Sequence, residues 1–120
     1  MEILKIILQL IVGLGILNVW FLRFNKSTVY RGGEAANMKD EFKAYGLPEQ
    51  TVYLVGFVKV TLALMLIAGI WLENLVDPAA IGLAAMMVGA IAMHLKIKDT
   101  FKQTLPAISL LLICLVILWL

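Results

Sequence analysis

The chain contains one cysteine, one histidine and no acidic residue inside any of its long apolar runs, and each scarcity closes a class of function. Cys114 has no partner for an internal disulfide and no C-x-x-C pair is present, so dithiol chemistry within the chain is excluded. It lies in the outer half of the last apolar run with no histidine near its depth, which removes nucleophilic catalysis of the serine or cysteine type. His94, with only remote methionines for company, has neither the ligand spacing of zinc nor a defined axial pair for haem. No catalytic set and no metal site is expected. The basic residues form no stripe outside the connections between apolar runs, so the formal charge of +2 signals topology and not a nucleic-acid partner.

What is abundant is apolar sequence. Hydrophobic residues make up 62% of the 120 residues and the mean hydropathy is +0.98, well beyond the roughly half-apolar composition of soluble domains. The runs are charge-poor and about 20 residues long, which matches a hydrocarbon layer roughly 30 Å thick. The pattern predicts an all-α membrane protein of one domain, residues 1–120: a four-transmembrane-helix antiparallel bundle with spans over 3–23, 51–72, 78–96 and 103–120. The first run ends in bulky residues, Asn18 to Leu22, and is too long for a cleaved signal peptide. Trp20 and Phe21 fit an interfacial belt, with Arg23 marking the exit into headgroups. Gly13 and Gly15 permit close approach of a neighbour. In the third run Gly82, Ala85, Gly89 and Ala92 fall on one small-residue face suited to helix packing, and Met86, Met87 and Met93 fill irregular space beside it. Asp77-Pro78 reads as an N-cap followed by proline at the first helical position.

The hydrophilic stretch 25–50 is not a plain linker. Residues 34–45 combine good helix formers with early acidic residues. Within them Met38, Phe42 and Tyr45 fall at i, i+4 and i+7, and Gly46 and Pro48 follow as a stop signal. The spacing predicts a short amphipathic interfacial helix that lies on the membrane surface or caps the bundle. Arg31-Gly32-Gly33-Glu34 just before it is a loop motif: a turn, or an anion-holding nest. The basic residues gather in connections 24–50 and 96–104, and the positive-inside rule then places both in the cytoplasm of a multi-pass cell-membrane protein, with both termini outside.

One residue conflicts with its surroundings. Lys59 sits about eight residues into the second span, roughly 12 Å below its end, where a charge costs roughly 2.5–3.5 kcal/mol on insertion scales. It must face a polar pocket, solvated, neutral, or paired with a carboxylate dipping in from a connection, for which Glu34, Glu41 and Asp99 are in range. At similar depth lie Asn18, Arg23, Tyr53 and His94, together with Asp99 and Ser109. The candidate ligand-binding pocket is therefore Asn18, Arg23, Tyr53, Lys59 and His94. Two readings fit it: a cavity taking a polar or quinone-like head group, or an internal polar network that fixes helix register.

The stretches Tyr30 to Ala35, Glu41-Phe42 with Tyr45-Gly46-Leu47-Pro48, Gly56-Phe57-Val58-Lys59, Met87 to Ile91 followed by His94-Leu95-Lys96, and Leu105-Pro106-Ala107 together resemble the DoxX-like family of small four-helix membrane proteins, over nearly the whole chain. Many relatives look as though they carry glutamate where Lys59 stands, so a role requiring an acid there does not transfer. The resemblance implies a small bundle working beside another protein, often in a redox setting. The leading expectation is an accessory or assembly subunit, with no catalysis of its own, in contact with the lipid bilayer and with a protein partner or a second copy. The alternative is a quinone- or lipid-binding subunit of a membrane oxidoreductase, with quinone as the possible cofactor.

Overall fold

In lipid every backbone N–H and C=O must find its partner within the protein, and helices do this segment by segment. Among the described residues, four helices are long and apolar enough to cross a membrane, over Glu2–Leu22, Glu49–Ala68, Glu73–Lys96 and Phe101–Trp119, and they pack as an all-α bundle of 39 × 25 × 20 Å. The computed structural model describes residues 2–25, 35 and 37–120. Helix α1 (Glu2–Leu17) continues as a π-helical turn over Asn18–Leu22; α2 is Met38–Ala44, α3 Glu49–Ala68, α4 Val76–Lys96 and α5 Phe101–Trp119. The exterior is apolar, with Leu54, Phe57, Leu64, Ile81, Val88 and Leu112 all exposed as a lipid-facing coat.

With no hydrophobic force between helices in lipid, close packing and interhelical hydrogen bonds hold them together. Gly13 lets α1 approach α3 closely: a Cβ there would stand 2.5 Å from Ile67 Cγ1. Gly15 meets nothing within 4 Å, so only one of the two glycines serves this crossing. Deeper in the same interface Gln9 is 2% exposed and its Nε2 donates to the Leu66 carbonyl at 2.9 Å, near the end of α3 where carbonyls lose their helical partners. The small-residue face of α4 is used in part. Gly82 lies against Leu62 of α3, whereas Ala85 and Ala92 are exposed.

Helix ends depart from the sequence expectation where capping chemistry decides. α2 starts at Met38 because the Asn37 side chain accepts the Asp40 N–H at 2.9 Å, an N-cap that a start at 34 ignores. Asp77 is not an N-cap. A 3-10 turn, Glu73–Leu75, leads into α4, which begins at Val76 and leaves Asp77 and Pro78 in its first turn, where an acid and a proline are both tolerated. α5 begins at Phe101, ahead of Pro106, because Thr100 and Gln103 form a capping box. The resulting 19 residues rise about 28 Å, enough to cross.

Two helices end in the same motif, and both endings aim residues into the bundle. After α2, Gly46 takes φ 82°, with Gly46 N–H on the Lys43 carbonyl at 3.0 Å and Leu47 N–H on the Phe42 carbonyl at 3.1 Å. After α4, Lys98 takes φ 58°, with Lys98 N–H on Leu95 at 3.1 Å and Asp99 N–H on His94 at 2.9 Å. These are Schellman turns, whose left-handed residue is usually glycine. The first has it; the second carries a lysine, at the steric cost an L side chain meets there.

Candidate intramembrane binding site

The Schellman turn after α4 explains why Asp99 meets His94. Folding the chain back by its left-handed residue returns Asp99 over the last turn of α4, and its Oδ2 accepts from His94 Nδ1 at 2.7 Å. Both side chains are almost wholly buried, 7% and 5% exposed. On the other side of the ring Tyr45 Oη stands 3.4 Å from His94 Nε2 and donates to Glu41 Oε1 at 2.7 Å. Glu41 and Tyr45 are one helical turn apart on α2, the i, i+4 spacing that lets side chains touch. Lys96 Nζ ties the two turns together by donating to the Tyr45 carbonyl at 2.9 Å, a cation on a helix C-terminus. The result is a continuous polar row, Asp99, His94, Tyr45 and Glu41, under the cap made by α2.

The Lys98 backbone gives a direct check on this turn. Lys98→Gly removes the left-handed penalty and is expected to raise stability by about 0.5–1 kcal/mol, while Lys98→Val should lower it by about 1–2 kcal/mol. Thermal unfolding in detergent measures both. Equal unfolding temperatures for the two variants would mean the residue does not hold this conformation in solution.

The row borders a cavity of about 720 Å³, within the size range of sites for small organic molecules. Its walls are largely apolar, from Ile16, Val55, Met86, Met87, Met93 and Leu110, and Glu41, Tyr45, Lys59, His94 and Gln103 bring polar groups to it, with Asn18 and Arg23 exposed at the rim. The methionines expected to fill irregular space stand on this wall, a side-chain type that adapts its shape to what it touches.

Trp20 is turned inward, not into an interfacial belt. It is 9% exposed while its neighbour Phe21 is 67% exposed. The reason is spacing: Trp20 continues the stripe of Val12 and Ile16 at intervals of four, the face α1 buries. The π turn then matters, since Arg23 N–H bonds the Asn18 carbonyl at 3.0 Å. Its wider circuit brings Asn18, Val19, Trp20 and Arg23 to the same cavity, and π turns recur at functional sites. Trp20 packs on Phe24 at 5.9 Å and edge-on to Phe42 at 6.2 Å between ring centroids. Lys59 Nζ lies 5.9 Å from its ring centre, at the outer reach of a cation–π contact.

Of the residues expected in the pocket, Asn18, Arg23, Lys59 and His94 line one cavity. Tyr53 does not reach it. It is 56% exposed and faces outward, with Lys39 Nζ 5.6 Å from its ring centre. There the Tyr53 hydroxyl first, and Glu49 after it, raise the Lys39 pKa above its ordinary value, an exposed linkage between α2 and α3. Ser109 is exposed on α5 and lines no part of the cavity. Of the carboxylates expected in range of Lys59, Glu41 lines the same cavity, while Asp99 is engaged by His94. Arg31, Gly32, Gly33 and Glu34 lie outside the described residues. Tyr45 was legible only as part of an apolar stripe; the signal for its second role was the glutamate four residues before it.

No curated protein and no solved structure matches the chain. The sequence model of the DoxX-like family matches residues 16–117, a stretch that takes in the π turn, α2 and the whole polar row. By that match, this small multi-pass membrane protein belongs to the DoxX-like family.

Proposed function

We propose that the chain binds one small amphipathic molecule inside the membrane, of quinone or lipid type, and serves as the binding subunit of an assembly whose chemistry is completed by a partner protein. The observation that carries this reading is the cavity: apolar methionine and leucine walls for a tail, and the Lys59, Glu41, Tyr45 and His94 groups beside it for a head. The accessory role expected from the sequence is kept in this reading as the way such a subunit works, beside a partner that acts on what it holds.

Lys59 is the head-group donor in this proposal. A hydrogen bond from an ammonium is worth about 1.5–3 kcal/mol in a desolvated site, so Lys59→Met should weaken binding roughly tenfold to a hundredfold. The experiment is purification in mild detergent, organic extraction with mass spectrometry for bound quinone or lipid, and a thermal-shift titration with decylubiquinone. Saturation near a hundred times Kd should add about 2.7 kcal/mol of stability. If nothing co-purifies and neither the native chain nor Lys59→Met responds to the added molecule, the binding reading fails.

A further inference from the structure

We infer that Asp99, His94, Tyr45 and Glu41 form a proton relay between the membrane-surface connection and the cavity, so that the occupant is a molecule whose head oxygen takes up or releases a proton. This rests on the cavity being a binding site and adds what kind of head group it takes: a phenolic, hydroquinone-type or keto oxygen, not a permanently charged group such as choline.

The geometry is a run of hydrogen-bonding contacts, and each carries one proton when the ring is in its charged form. Asp99 Oδ2 fixes the proton on His94 Nδ1 at 2.7 Å, which leaves Nε2 as the exchangeable position, facing Tyr45 Oη at 3.4 Å. Tyr45 donates in turn to Glu41 at 2.7 Å, and Glu41 lines the cavity. In one limiting state His94 is an imidazolium donating from Nε2 to the tyrosine oxygen, and both carboxylates are ionised. In the other, the Nε2–H and the original Tyr45 O–H bonds have broken, and a new Tyr45 O–H and a Glu41 O–H have formed. The proton count and the summed charge are the same in both, so the shift displaces one unit of charge along the row and needs no co-reactant. A head-group oxygen with a lone pair can then take the Glu41 proton, and the row is reset when the His94 ring turns out of its Asp99 and Tyr45 contacts and takes a proton on Nε2 from water at the connection, where Lys98 and Thr100 beside Asp99 are exposed. Carboxylate-oriented histidines of this kind are the usual donors and acceptors of protons in buried sites. Among the described residues, the other charged groups on this cavity are Lys59 from α3 and Arg23 at the end of the π turn.

His94 is the single histidine, so histidine labelled with nitrogen-15 reports this ring alone. In detergent micelles the Nδ1 signal of the native chain should be that of a protonated nitrogen, and Asp99→Asn should return the ring to a tautomer mixture. The occupant is mimicked by 2-naphthol and by its methyl ether, alike in shape but only one with an exchangeable proton, with binding followed separately by thermal shift. The expected result is that both bind, that naphthol alone moves the Nε2 signal, and that Tyr45→Phe binds naphthol and loses the response. The relay is overturned if naphthol binds without moving Nε2, if the ether moves it equally, if Tyr45→Phe responds like the native chain, or if Asp99→Asn leaves the tautomer unchanged. If neither compound binds, the cavity reading itself has failed, and the relay with it.

Discussion

Glu41→Leu should destabilise the protein by about 3–5 kcal/mol, the cost of stranding a charged group in a low-dielectric interior. Glu41 is 9% exposed, accepts the Tyr45 hydroxyl and lines the same cavity as Lys59. Removing it leaves the ammonium in the middle of α3 without that countercharge and the phenol without its acceptor. Lys59→Met has the opposite character, since it takes the charge away along with its desolvation cost and keeps an unbranched apolar stem of similar length; it should be neutral or stabilising by about 1 kcal/mol. The double variant should recover much of the loss, giving a coupling of about 0.5–3 kcal/mol. Unfolding in mixed micelles measures the cycle. Additive effects would show that the two groups do not share an electrostatic partnership. Should Lys59→Met gain stability while losing affinity for a quinone, the lysine is retained for binding and not for the fold, the trade expected where a site holds a strained or costly group.

The bundle was legible because long apolar runs admit few solutions in a bilayer, and the runs, their stop signals and the amphipathic α2 all express local chemistry. Gly46 and Pro48 ended α2 as their conformational preferences require. The site was legible only by depth. Depth grouped Asn18, Arg23, Lys59 and His94, because residues at one level of a narrow bundle have few places to go. It also misplaced Tyr53, since depth says nothing about which way round the helix a side chain points, and Tyr53 falls on the face of α3 that carries the exposed Leu54 and Phe57. The Asp99 to His94 bond depends on a left-handed backbone at Lys98, a position where the residue type argues against that conformation. Nothing local announces it. Trp20 was readable in principle from its interval to Ile16 and Val12, but an aromatic near a span end also satisfies the belt rule, and periodicity outranked it here.

Gly56→Ala should be far more damaging than its single added methyl suggests. A Cβ at this position would stand 2.6 Å from Trp20 Cζ3 and 2.8 Å from Cε3, distances that real contacts do not reach, so the indole has to move. It packs on Phe24 and Phe42 and lines the cavity, so its displacement changes the cavity wall. Overpacking of this kind costs about 1–3 kcal/mol, and here the displaced ring also loses its position beside Lys59 and takes up room meant for an occupant. Trp71 and Trp119 are 77% and 85% exposed, so replacing both with phenylalanine leaves Trp20 as the only reporter without touching the core. In that background Gly56→Ala should change the Trp20 emission, lower the unfolding temperature and abolish the thermal shift with decylubiquinone. Gly56→Ala with native emission and native binding would mean that the indole does not rest on this glycine and that the wall of the cavity lies elsewhere. A lowered unfolding temperature with binding intact would separate the two roles of Trp20, keeping it as packing for α1 on α3 and removing it from the site.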